Sequence, residues 1–535
     1  MLEGKRSYQR GQETLVPNNN ASSAPDNPVI PKDQERPWYI RHFIKLLIGF
    51  GLGGGAVAIL LPWMLWQLCG MSSGSSDQLR LHLLYVTGGI IAVLTLLQTN
   101  WKNQGDRLKI DADIKKNEQD AENEATKREQ DAVKSERDHI RQVHTERRSR
   151  YTKAVEQLAD EKATVRLGGI YTLVGLVDEW LTDDTLEVEE QQKEGQVIIN
   201  NLCSYIRSPF TLALKAEMFE GDSEPDNYEG DFSKDQAAFH EEQDVRRTIF
   251  VEMSKRSSTF TRDAIRTVID TFPGMWSDFE FDFSRAPIFY PLNAVTIEKG
   301  NFSGARFYAG ANFVEATFTC NADFSGATFT KTADFYGATF TQNADFSDAT
   351  FTKTADFSDA KFTQDANFSW AKFTQDANFS WAKFTQNAHF SRATFTQDAN
   401  FSWAKFTQNT HFSRATFTQN ADFRRATFTE DANFSWVTFT QTVNFNEATF
   451  EKYSPCFAAT THGVSGEAYR ARFAALSEKQ PAHNFAVHEV SHPILLGEAE
   501  LDGVKYRIPV ETVLFDPDSW DEEKQEYTRV SEPAK

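Results

Sequence analysis

From Phe302 to Phe450 phenylalanine recurs at intervals that alternate five and six residues without a slip, and 28 of the 45 phenylalanines in the 535-residue chain sit on this grid. An eleven-residue period is close to three helical turns, so a helix is the first fold to test. At about 100° per residue Phe324 and Phe329 would lie about 140° apart, and no single apolar stripe forms. The repeated Thr-Phe-Thr triplets and the Asn and Asp residues also make poor helix. A flat sheet fails because odd spacings send successive Phe to opposite faces. A chain that turns a corner every five residues satisfies the grid: each Phe and the Ala two residues before it point inward, and the Thr and Ser neighbours point out.

A representative unit is Ala322-Asp323-Phe324-Ser325-Gly326, Ala327-Thr328-Phe329-Thr330-Lys331, then Thr332. The extra position holds Gly310, Asn321, Thr332, Asn343, Thr354, Asp365, and on to Asp431 and Thr442, all turn formers, which places it at a corner. The pattern resembles the pentapeptide-repeat family, whose unit is Ala-(Asp/Asn)-(Leu/Phe)-x-x. That resemblance implies a right-handed quadrilateral β-helix, here over 279–450, with the eleventh residue as a departure from a coil of four regular units. Coils of about 22 residues are expected, nearly seven of them, in a rod of roughly 30 Å at about 4.8 Å per rung.

Outward positions 22 apart then stack. Two residues after Phe, one column reads Gly326, Asp348, Trp370, Arg392, Arg414, Trp436, and a second reads Gly337, Asp359, Trp381, Trp403, Arg425. Lys361, Lys383 and Lys405 make a third, and stacked lysines repel unless something offsets them. Trp370, Trp381, Trp403, Trp436, Lys383, Lys405, Arg392 and Arg414 are therefore the candidate partner-binding residues, suited to an anionic or carbohydrate-like surface; solvated ladders of duplicated repeats are the alternative. His389 and His411 also stack, without a third ligand nearby for a metal.

Upstream of the grid the chain changes character. Residues 1–37 are polar and lack apolar periodicity, and disorder is expected there rather than a signal peptide. Leu46 to Trp66 carries no charge, and a second apolar stretch runs from about Leu79 to Trp101, each long enough to cross about 30 Å of hydrocarbon. Residues 38–101 thus read as a hairpin of two transmembrane helices. Lys32, Arg36, Arg41 and Lys45 before it, and Lys102, Arg107 and Lys109 after it, outweigh Arg80 at the loop, which places both termini in the cytoplasm of a multi-pass cell-membrane protein. Gly49, Gly51, Gly53 and Gly55 form overlapping GxxxG spacings, suited to close helix approach or simply a flexible patch.

Residues 102–150 hold 13 basic and 12 acidic residues with no proline and read as a charged helical stalk, either a single helix or, through Ile110, Ala121, Ala132 and Val143, a loose coiled coil in a homo-oligomer. Over 151–273 apolar residues recur at three and four spacing, a helical-repeat-like domain that takes in Arg262 to Phe272. Gly168-Gly169 inside one helix calls for a packing reason. Val165 to Tyr171, after Thr152 to Leu158, resembles the helical module between the membrane hairpin and the repeats of bacterial membrane-anchored pentapeptide-repeat proteins. The acidic Glu217 to Asp231 is expected to be disordered. In the cap and tail, 451–535, Gly466 to Lys479 reads as an amphipathic capping helix with Tyr469, Phe473 and Leu476 on one side, Asp502-Gly503 as a hairpin turn, and the last fifteen residues as disordered.

The whole is a multidomain α + β chain. Its four cysteines lack CxxC spacing, and no nucleophile and base grouping, phosphate loop or metal-ligand spacing stands out, so neither an enzyme nor a cofactor is expected. Acids outnumber bases by 76 to 56, which disfavours nucleic acid as a partner. The leading expectation is a non-enzymatic membrane-anchored scaffold that presents the β-helix to a cytoplasmic protein. One alternative follows from the family resemblance, a DNA-mimicking gyrase-binding rod; yet residues 301–450 hold 14 acids against 11 bases, a poor DNA mimic. The other is an oligomerising membrane effector or channel.

Overall fold

The computed structural model describes residues 37–221, 223–262, 268–292, 299–460, 468–477, 482–524 and 526–535. The expected disorder of the N-terminus falls on residues 1–36, outside these. The chain divides into two units, Met1–Arg137 and Asp138–Lys535.

In the first unit a helix spans Phe43–Cys69 and ends where Gly70 adopts φ +66°, a left-handed C-cap that glycine reaches without steric cost. After a short connection the Ser73–Leu158 helix begins, 86 residues in one element that carries both the second apolar stretch and the charged stretch. Both helices are long and apolar enough to cross a membrane. Their close approach is at Gly54, where a Cβ would overlap the Thr87 side chain, while Gly49, Gly51, Gly53 and Gly55 have open space around them.

In the second unit the last turns of the long helix pack with helices Ala163–Leu181, Val188–Arg207 and Phe232–Arg256. Ala154, Ile170, Leu173, Val177, Leu202, Val245 and Ile249 are buried in their core. Gly169 has the packing reason expected of it: a Cβ there would lie 2.8 Å from the Ala154 carbonyl oxygen and 3.0 Å from Gln157 Cβ. Two readings need correction. Within the acidic segment, Ala216–Phe219 is a helical turn, and the buried Phe219 ring meets Tyr228, Phe232 and Phe239, so aromatic burial orders it despite its charge. Val268–Phe272 is a strand, antiparallel to Thr259–Arg262; Val, Ile and Thr together favour extended backbone over the helix their spacing suggests.

From Phe281 the chain winds into four parallel sheets of seven to ten strands, and between Asn301 and Phe450 strands pair at a separation of 22 residues, as Thr328 with Thr350 and Ala344 with Ala366. Every Phe on the grid from Phe302 to Phe450 is buried. Rings 22 apart stack almost parallel, Phe346 on Phe368 at 4.9 Å and Phe351 on Phe373 at 4.8 Å, and neighbouring stacks meet edge to face, Phe346 with Phe357 at 5.2 Å and 84°. Both geometries are the favoured ones for aromatic quadrupoles. The corners alternate between a two-residue turn, closed by bonds such as Ala371 N–H to the Phe368 carbonyl at 3.2 Å, and a three-residue bend that holds the extra position.

Both ends are covered. At the start, Gln196 donates to the Glu280 carbonyl at 2.8 Å, Gln243 donates to that of Phe289 at 2.9 Å, and Phe250 packs on Phe283 at 4.5 Å. At the far end the expected helix is absent from the described part of Gly466 to Lys479: Ala468–Arg470 and Arg472–Ala474 are strands. The reason is the core itself. Phe473 continues a ring stack, 5.3 Å from Phe439, and its strand adds to one sheet in parallel register. Val513–Phe515 adds beyond it, and bridges at Cys456, Asn484 and Val487 close the other three sheets. Asp502 and Gly503 turn the antiparallel hairpin of Leu496–Leu501 with Val504–Pro509, as expected. The last fifteen residues are ordered where described: Ala534 is buried and Lys535 exchanges two backbone hydrogen bonds with Glu498, at 2.9 and 3.1 Å.

Candidate functional site

The third residue of each two-residue-turn corner has φ near +60°, the left-handed region natural to glycine. Glycine is there at Gly304, Gly326 and Gly337. Further along the same positions carry Trp370 (φ 62°), Trp381 (61°), Arg392 (63°), Trp403 (59°), Arg414 (63°) and Trp436 (57°). A bulky side chain in this conformation costs on the order of 1 kcal/mol. The corner also dictates the stacking, because the corner N–H donates to a backbone carbonyl of the next coil, Trp370 to Ser391, Arg392 to Ser413 and Trp403 to Arg424, all at 2.9 Å.

Two ladders result. In one, the Arg392 guanidinium lies 4.3 Å from the centre of the Trp370 ring, Arg414 lies 4.6 Å from Trp436, and Trp436 stacks on Tyr469 at 4.5 Å. In the other, Trp381 and Trp403 stack at 4.7 Å and 5°, Arg425 covers Trp403 at 4.6 Å, and Arg425 pairs with Glu447 at 2.6 Å. Trp370 and Trp381 remain half exposed. Lys383 pairs in register with Lys361 and Lys405 on a third face of the rod. The structure therefore brings Trp370, Arg392, Arg414 and Trp436 together on one corner and Trp381 and Trp403 on another, with Lys383 and Lys405 two residues along from the latter pair.

The repeat is now defined in sequence and in space: two five-residue sides and one extra residue, with buried Ala and Phe and a corner every five or six residues. A family model for pentapeptide repeats matches 293–339, 335–381, 382–427 and 412–460. The rod belongs to the pentapeptide-repeat family. Neither a curated protein nor a solved structure matches the chain. The pentapeptide-repeat rod carries its Thr-Phe-Thr triplets partly for its own cohesion, since hydroxyls such as Thr330 and Thr374 donate to carbonyls of the preceding coil.

Tyr469 joins the ladder from outside the grid, so no periodicity pointed to it. His389 and His411 stack at 5.2 Å on the coils of Arg392 and Arg414, and burial, then the His389 charge, lowers the His411 pKa. Among the described residues no group of three His, Cys, Asp or Glu is placed to hold a metal. Away from the rod, Asp183 accepts from His144 at 3.0 Å, from Thr185 and from Arg147; burial pushes its carboxyl up, and these donors outweigh that and hold it well below the usual range. Its charge is already satisfied, which suits a structural clasp between helices.

Proposed function

We propose that this chain is a non-catalytic, membrane-anchored scaffold whose pentapeptide-repeat rod presents its Trp and Arg corners to a cytoplasmic protein. The observation that carries the reading is the occupation of glycine-type corner positions by exposed Trp and Arg. Strain of this kind is retained where the side chain is wanted for something other than stability. Two long apolar helices with basic flanks support anchoring by a hairpin with both termini in the cytoplasm.

In-cell cross-linking and mass spectrometry on the full chain, beside a variant with Trp381, Trp403, Lys383 and Lys405 changed to Thr, tests it. The wild type is expected to capture a cytoplasmic protein that the variant loses with an unchanged circular dichroism spectrum; equal capture would make the Trp381–Trp403 ladder and its lysines structural. Protease accessibility of both termini in right-side-out and inverted vesicles checks the topology. A gyrase supercoiling assay is expected to show no inhibition.

A further inference from the structure

The two coils that carry Arg392 and Arg414 differ from their neighbours in a second respect. Elsewhere the residue before each corner Phe is Asp or Asn, and its Oδ1 accepts the amide N–H two residues on: Asp345 from Ser347 at 2.9 Å, Asn367 from Ser369 at 3.0 Å, Asn400 from Ser402 at 2.9 Å, Asn433 from Ser435 at 2.9 Å. At 389 and 411 the residue is histidine, and among the described residues the amides of Ser391 and Ser413 have no acceptor. A buried or half-buried N–H without a partner is rare, and two on adjacent rungs ask for an acceptor from outside.

Both serines line an open cleft of about 460 Å³ together with Arg392, Arg414, Trp436 and Tyr469. The serine hydroxyls lie 3.1 Å apart. Each guanidinium lies over an indole face, 4.3 Å from the centre of Trp370 for Arg392 and 4.6 Å from that of Trp436 for Arg414, and among the described residues neither has a carboxylate partner. One cleft is thus lined by two arginines without a carboxylate partner and by two serines whose amides have no acceptor among the described residues and whose hydroxyls bond only to each other. A planar carboxylate has too few oxygens to use this set. A tetrahedral dianion has three terminal oxygens and a charge matched to two guanidiniums.

We infer that the Ser391–Arg392–Ser413–Arg414 cleft binds the phosphoryl group of a phosphomonoester. This rests on the reading of the ladder as a binding face, and it adds the chemistry that face recognises. His389 and His411 belong to the site as the residues that withhold the usual acceptor, so that the serine amides stay available to the ligand.

The test is calorimetric titration of the full chain in neutral-lipid nanodiscs with O-phosphoserine, glycerol 3-phosphate, inorganic phosphate and acetate. Saturable binding of the phosphates is expected, with acetate weaker by about tenfold or more. Preference for O-phosphoserine assigns the source to a phosphorylated protein, and preference for glycerol 3-phosphate assigns it to a free metabolite. Arg392→Gly with Arg414→Gly suits φ +63° at both corners, so this variant keeps the fold, and it is expected to lose binding by about tenfold or more. In a second variant, His389→Asn with His411→Asn restores the Oδ1 acceptors and leaves the arginines in place; binding is expected to weaken about fivefold. No saturable phosphate binding, or binding unchanged in both variants, overturns the inference. Cross-link capture that survives while phosphate binding is absent leaves the scaffold reading standing, and the opposite pair of results overturns the scaffold reading alone.

Discussion

Phe379 lies in the middle of the rod with no exposed surface, and replacing it with Ala tests the account of the core. Its ring is sandwiched between Phe357 and Phe401, each at 4.9 Å, and meets Phe368 at 5.2 Å and Phe390 at 5.3 Å edge to face. A buried Phe removes about 150 Å² of apolar surface from water, which at about 25 cal/mol per Å² is roughly 3–4 kcal/mol. The hole cannot collapse, because the rung spacing is held by ladder bonds such as Phe379 N–H to the Asn400 carbonyl at 2.7 Å. A cavity term therefore adds, and the expected loss is about 4–5 kcal/mol, the upper end for Phe→Ala. Phe379→Leu, which keeps most of the volume, should cost only about 1–1.5 kcal/mol. Contacts in a solenoid are between neighbouring coils, so the defect should also split unfolding into separate transitions for the coils on either side. Urea unfolding of the full chain, followed by tryptophan fluorescence, reads both effects, since Trp381 and Trp403 sit beside the altered coil. A loss under about 1.5 kcal/mol for the Ala variant, or one equal to that of Leu, would refute a rigid, ring-stacked interior.

Gly168→Ala and Gly169→Ala should differ in sign although the residues are adjacent. Open space at Gly168 predicts a gain of about 0.5–1 kcal/mol, whereas the Ala154 carbonyl against Gly169 predicts a loss of about 1–3 kcal/mol, both read by thermal melting. Burial, only partly offset by the bond to the Ala474 carbonyl, lowers the His483 pKa from 6.5 to about 4. The unfolded chain then protonates first as the pH falls, so stability present above pH 6.5 is lost progressively down to pH 4, by up to about 3 kcal/mol. This slope should be absent from His483→Gln in pH-dependent urea titrations. Removal of residues 496–535 should uncover the Arg472–Ala474 strand edge and produce aggregation visible by size-exclusion chromatography.

The rod and its ladders were legible in the sequence because both follow from local geometry repeated many times. A Phe every five or six residues admits one solution, and once a coil takes 22 residues, Trp381 must meet Trp403. Where a segment occurs once, the same reasoning had nothing to average over. Phe473 shows helical spacing with Tyr469 and Leu476, yet its environment is set by Phe439, 34 residues earlier, and that tertiary contact overrides the pattern. Phe219 likewise holds an acidic segment in place from within, through rings at Phe232 and Phe239 that composition does not announce. The freed serine amides were hidden for a different reason. His389 and His411 looked like added groups, whereas their effect lies in the carboxamide or carboxylate oxygen that they lack.

The alternation of two corner types makes the eleven-residue unit and the 22-residue coil unequal as steps of change. Gain or loss of a whole coil shifts the far cap along the rod by one rung and keeps every column on its own corner. Gain or loss of a single unit instead carries everything downstream half-way round, so that Arg414 would fall in line with Trp381 and Trp403, and Phe473 would arrive at the wrong sheet. Length in this protein can therefore change only in even numbers of units, and an odd one between Arg392 and Arg414 would dismantle the cleft while leaving each unit of sequence intact.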